Sequence, residues 1–243
     1  MNKFQLQKAV RKWHRYLGII LGIQFLFWTI GGLYFSWTSI ESIRGEDIKN
    51  EKPPLVIPTG SRALSILTDS LRTVTPNLVA DQIQLIDILG KAHYQVHIKS
   101  PEKKVLLFNA KTLELAKKIN EYDALKIATT ALKTPSAVIK TEYITTTHGH
   151  HEYREKPLPA YAITFDKPNS TTVYVSTELG TLQSFRNDQW RIFDFLWMMH
   201  TMDYHERDNF NNWIIRLFSI FGLVTLLSGF ILFFLTTKKI SLK

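Results

Sequence analysis

The chain has 243 residues, no cysteine and a formal net charge of +9. Without cysteine, thiol catalysis, iron–sulfur clusters and thiolate haem ligation are excluded, and a domain outside the cell is held by its core alone. The excess charge does not indicate nucleic-acid binding: Lys3, Lys8, Arg11, Lys12 and Arg15 lie in residues 1–40, and Arg216, Lys238, Lys239 and Lys243 in 209–243, each group without an acid, while 41–208 hold 21 basic and 21 acidic side chains.

Residues 1–15 form a basic amphipathic lead-in, continuous with 22 uncharged residues over 16–37. A second uncharged run, of 19 residues, covers 217–235. At 1.5 Å per residue each run reaches about 30 Å, the thickness of a bilayer's hydrocarbon core. The basic flanks follow the positive-inside pattern, so two crossings are expected, with both chain ends cytoplasmic. The first run exceeds a signal-peptide core and no A-x-A site follows it, so it reads as an uncleaved signal anchor. Gly18 and Gly22 form a G-x-x-x-G pair, which lets another helix or a flat cofactor approach the backbone.

Between the runs, Pro53, Pro54 and Pro58 among charges mark 41–58 as a linker. The patterning then predicts a helix over 63–74, strands over 82–88, 93–98 and 104–109, and a helix over 124–132. Strands follow near 137–146, 160–166 and 171–176, with turns at 166–169 and 178–180. Residues 189–204 read as an interfacial amphipathic helix, with Trp190, Phe193, Trp197, His200 and Tyr204 on one face. Asn and Asp over 208–212 break it, and the second span starts near Trp213. The expected fold is α+β. Residues 1–40 and 213–243 carry the spans, 41–188 form an extracytoplasmic domain of two tandem helix-plus-antiparallel-sheet units, and 189–212 are the interfacial helix and turn.

Three passages carry a resemblance. Arg11-Lys-Trp-His-Arg-Tyr-Leu-Gly18 resembles the entry to the first helix of PepSY-associated transmembrane proteins. Pro159-Ala-Tyr-Ala-Ile-Thr-Phe165, Val173-Tyr-Val175 and Leu179-Gly180 resemble the closing strands of a PepSY unit. Leu196-Trp-Met-Met-His200, with a later span containing Gly222 and Gly229, resembles that family's second membrane entry. Members of this family include bacterial inner-membrane ferric reductases that carry haem b on histidines at helix ends. The resemblance implies His14 and His200 as axial ligands, and transmembrane electron transfer to ferric iron or a ferric chelate in the periplasm. With two spans rather than about four, it also implies a homodimer carrying one or two haems. PepSY units also accompany protease propeptides and regulators, so the alternative is a non-catalytic membrane-anchored module that inhibits a protease or acts as a sensor.

Read from the residues, neutral imidazole suits low-spin haem. Trp13 and Tyr16 flank His14, and Trp197, Met199 and Tyr204 flank His200, as possible porphyrin walls, with Gly18 and Gly22 as an approach surface. One haem cannot take both histidines. A ligand nitrogen sits about 2 Å from its metal, and opposite ends of a span are roughly 30 Å apart. A twofold axis would pair each with its own copy. His205 is the reserve ligand. Arg216 is expected to snorkel to the surface or to pair with a propionate. His148, His150 and His151, followed by Glu152, read as a solvated loop or a weak, transient iron contact. His93 and His97 read as structural. There is no G-x-G-x-x-G, P-loop, H-E-x-x-H or G-x-S-x-G, so the electron donor is expected to be a cytoplasmic protein or membrane quinol.

Overall fold

The computed structural model describes residues 3–51, 55, 59–75, 77–100 and 104–237. The linker prolines Pro53, Pro54 and Pro58 and the tail cations Lys238, Lys239 and Lys243 lie outside these residues. The chain is α+β and divides into two compact units, Met1–Ser39 with Arg191–Lys243, and Ile40–Trp190.

The first unit is helical. Helix α1 runs over Lys3–Trp37, and its 35 residues are about 52 Å long. The last helix of the chain, α6, covers Trp213–Thr236, about 36 Å. Both are long and apolar enough to cross a membrane. Their apolar side chains are not used as a soluble core would use them: Phe230, Phe233 and Phe234 are 61%, 61% and 74% exposed. Such a surface is stable against lipid and costly against water.

Helices α1 and α6 pack antiparallel, because Phe218 meets Phe25 and Trp28 while Ser228 meets His14. The covered residues of α1 include Val10, His14, Leu17, Leu21, Gln24, Trp28, Gly31 and Phe35. They alternate spacings of four and three, the heptad seam of a left-handed pair. On α6 the less exposed positions include Phe218, Gly222, Thr225, Gly229 and Leu232, with the same alternation.

The second unit holds everything else. A short α2 (Ile40–Arg44) occupies the start of the stretch expected to be linker. Helix α3 (Leu64–Val74) precedes the meander β1 (Ala80–Ile88), β2 (Lys91–Ile98) and β3 (Val105–Asn109). Helix α4 (Glu121–Thr130) precedes a second meander, β4 (Val138–Ile144), β5 (Ala160–Phe165), β6 (Thr172–Ser176) and β7 (Leu182–Arg186). All pairings are antiparallel. Strand β7 and helix α2 were not anticipated from sequence. Each is only five residues long, too short to show a period.

Helix α3 buries Leu67 on Val96 and Phe108 of the first sheet. Helix α4 buries Ala124 and Ala128 against Ile163, Phe165, Val173 and Val175 of the second. Its start is capped by Asn120, whose side chain accepts the Asp123 N–H at 2.8 Å. The two sheets share one core, since Ile88 and Leu107 of the first belong to the α4 cluster. Gly180, in the β6–β7 turn at φ +67°, lies against those same two side chains.

Candidate functional site

The first unit places two imidazoles on the α1 seam or beside it, and their surroundings differ. His14 faces α6. Its Nδ1 lies 2.8 Å from Ser228 Oγ, and Ser228 donates its own hydroxyl proton to Thr225 O at 2.7 Å. A hydroxyl has one proton to give. In the arrangement where that proton goes to Thr225 O, Ser228 accepts from His14 Nδ1, and a neutral imidazole keeps its lone pair on Nε2. His14 Cε1 is 3.3 Å from where a side chain on Gly229 would begin. Beyond it opens an apolar groove of about 570 Å³ walled by Leu226, Phe230, Phe233 and Phe234.

His14 does not sit at the helix entry. Its partner Ser228 is eight residues before the end of α6, about 12 Å inside that end. Gly18 and Gly22 follow His14 at four-residue steps, and nothing lies within 4 Å of either Cβ position. By the 100° helical step they continue the His14 flank outward, and Arg11 and Arg15 fall on that same flank. Trp13 does not wall this groove. It is 67% exposed and lines a smaller groove of about 300 Å³ with Leu17, Val224 and Ile231, on the other flank of the pair. Consecutive residues on a helix diverge by 100°, so Trp13 and His14 cannot share a wall.

His200 is held by helix α5 (Asp188–Thr201), whose residues from Arg191 onward belong to this unit. There α5 runs antiparallel to α1: Phe193 meets Phe35 at 4.9 Å, and Leu196 packs on Gly31. The His200 ring stacks on Trp197 (6.1 Å, 11°) and is flanked by Trp28 at 5.5 Å and Phe35 at 6.3 Å. No described residue bonds its ring nitrogens. His200 lies beside Trp28, fourteen residues along α1 from His14, so the two imidazoles are separated by about 21 Å along the helix rather than a full membrane thickness.

The end of α5 is sealed by side chains. Its carbonyls at Met198, Met199, His200 and Thr201 accept from Thr201 Oγ1, Gln24, Trp28 Nε1 and Asn212 respectively. These would otherwise be the unpaired groups of a helix C-terminus. The helix stops at Thr201, short of the expected 204, so Tyr204 leaves the face it was expected to share with His200. The cause is local. Met202 takes φ +53°, and the buried Asp203 carboxylate gathers the N–H groups of His205, Glu206, Arg207 and Asn209. Asp194, also buried, pairs with Arg207, and Trp197 Nε1 donates to Asp208. His205 is thereby part of the turn's backbone scaffold. Asn212 then caps α6 by accepting the Ile215 N–H.

Burial raises the Asp203 carboxyl, but its four N–H donors outweigh that and hold it below its ordinary value. A depressed carboxyl stabilises the fold above its unfolded value near 3.8, and the benefit disappears as pH falls through the lower folded value. Asp203→Asn is therefore expected to cost about 2 kcal/mol at neutral pH. The 203–209 amides should exchange faster with solvent, and the wild-type protein should approach that rate only in strong acid.

Arg216, one turn into α6, is exposed and no described carboxylate pairs with it. In the second unit, the His148 and His151 rings lie 5.9 Å apart, edge to face. His151 Nδ1 accepts the Tyr153 N–H at 3.0 Å, and burial pushes this imidazole below its ordinary value. The ring is thus neutral with its proton on Nε2, where it can donate but offers no free lone pair. His148 and His150 are exposed in the same loop. Among the described residues, no three His, Cys, Asp or Glu side chains are grouped to hold a metal ion. His93 and His97 bond the Lys91 carbonyl and the Gln95 side chain, as structural residues do.

Four residues that shape the helical site were not singled out from the sequence: Gln24, Trp28, Ser228 and, as a neighbour of His14, Gly229. A signal was present. Gln24 and Ser228 are hydrogen-bonding residues within uncharged runs, and Gln24 and Trp28 continue the spacing that starts at His14. No family model matches this chain, and neither does any curated protein or solved structure.

Proposed function

We propose that the protein is a haem b-dependent electron-transfer protein of the bacterial inner membrane, with both termini cytoplasmic and the second unit in the periplasm. It would act as a homodimer and reduce ferric iron or a ferric chelate. The carrying observation is the setting of His14: its Nδ1 bonds Ser228, and its ring lines an apolar groove. A ligating histidine is normally oriented by a hydrogen bond through its other nitrogen, and Ser228 supplies that bond.

The surroundings fit a flat apolar macrocycle with acidic side chains. Gly18 and Gly22 leave the backbone bare, Phe230 and Phe233 offer aromatic walls, and Arg11 and Arg15 on the same flank are suited to pair with carboxylates. At the other level, His200 sits among Trp28, Phe35 and Trp197, with Arg216 as the nearest candidate cation on α6. When bound, haem b supplies reversible one-electron chemistry. The chain's residues would orient the two imidazoles, His14 through Ser228 and His200 by stacking on Trp197, and separate them along the membrane normal. His14 would hold haem at one level and His200 at the other, each paired with the same residue of a second copy. The second unit, with its order of helix then meander twice over, is read as two tandem PepSY-like units. The loop of His148, His150 and His151 would be the place of a transient contact with iron.

The test is a visible absorption spectrum of the protein purified after haem-replete expression. A Soret band that shifts on dithionite reduction is the expected result. A colourless protein would reject the redox reading and leave the membrane-anchored regulatory module.

A further inference from the structure

We infer that the second unit carries a binding site for an amphipathic organic acid, at the junction of its two helix-plus-sheet repeats. This inference does not rest on the redox reading. A cavity of about 550 Å³ opens there, within the range of about 300–1,000 Å³ usual for small-molecule sites, which favour such junctions. Its walls come from four separate stretches: the end of the β1–β2 hairpin, the last turn of α4, the β6–β7 connection and the segment around Lys49. The apolar part is made by Leu85, Ile86, Leu89, Ile127 and Leu182.

The polar side chains at the mouth divide into two kinds. Asn50 donates to the carbonyls of Thr130 and Leu132, Thr130 donates to Lys126 O, Asp87 accepts the Gly90 N–H, and Thr181 accepts from Gln183. These groups are used by the fold. Lys49, Lys126 and Glu51 are not bonded through their side chains to any described residue; with Asp87 the lining holds two cations and two anions, and the two ammonium groups are the ones left to meet an anionic head. An apolar cavity with two uncommitted ammonium groups at its rim matches a ligand with an apolar body and a single acidic head. A neutral apolar molecule would leave the lysines unused, and a small anion would leave the apolar wall wet.

The test is calorimetric titration of the full chain in phosphatidylcholine nanodiscs, with empty nanodiscs as the blank. The probes are 2-naphthoate, its neutral relative 2-naphthalenemethanol, and acetate. Naphthoate should saturate one site per chain, the alcohol should bind roughly tenfold more weakly, the equivalent of one charge-assisted hydrogen bond, and acetate should give no heat above the blank. The double variant Lys49→Gln with Lys126→Gln removes no described side-chain hydrogen bond or ion pair and should lose that advantage, leaving acid and alcohol equal. Ile127→Trp should reduce the binding of both. No saturable heat from naphthoate, equal affinity for acid and alcohol in the wild type, or an unchanged preference in the double lysine variant would overturn the inference.

Discussion

Replacing His14 with alanine is expected to abolish the haem signal of the His14 level: half of the protein's haem if both levels are filled, and all of it if only this one is. The size of the effect follows from how little else is offered there. The groove is lined by Thr225, Leu226, Gly229, Phe230, Phe233 and Phe234 besides His14, and none of the others has a nitrogen or sulfur donor. Ser228→Ala is the informative companion. It leaves the imidazole in place but removes the acceptor that holds its proton on Nδ1, so haem affinity should fall by about 10–100-fold rather than vanish. Haem content measured as the pyridine haemochrome separates the two outcomes. Full retention in His14→Ala would remove the ligand assignment, while the pairing of α1 with α6 would stand.

The second large effect is expected at Gly180. The residue sits at φ +67°, and a Cβ there would lie 2.5 Å from Ile88 Cδ1 and 3.2 Å from Leu107 Cδ1. Both side chains belong to the core shared by the two sheets. A β-branched residue at Gly180 would therefore carry about 1–3 kcal/mol of backbone strain and about 1–3 kcal/mol of overpacking. Gly180→Val is thus expected to lose about 4 kcal/mol, a large share of the roughly 5–15 kcal/mol by which folded domains are stable. Gly90 provides the control. It has a similar angle, φ +78°, but nothing within 4 Å. Gly90→Ala should cost only the backbone part, about 1 kcal/mol, and the excess for Gly180→Ala measures the crowding. Urea unfolding followed by tryptophan fluorescence and circular dichroism reads both. Equal losses at the two glycines would show that the sheets do not depend on this close approach.

The amino-acid sequence determined the coarse plan by itself, because that plan depends on local patterns. Uncharged runs of 22 and 19 residues are visible without any partner, and both appear as helices suited to a membrane. The strands with clear β-rich runs were likewise legible, as was the start of α6 at Trp213, where Asn212 supplies the cap. Tertiary structure alone decided the chemistry of the imidazoles. The tautomer of His14 depends on Ser228, 214 residues away, and on which carbonyl that hydroxyl chooses. The separation of Trp13 from His14, the loss of Tyr204 from the α5 face and the shared core around Gly180 have the same origin. Each is set by contacts between segments distant in sequence, or by a turn whose carboxylate outcompetes the helix for backbone N–H groups. A periodic pattern reports which face of an element is apolar, but it does not say which partner that face will meet.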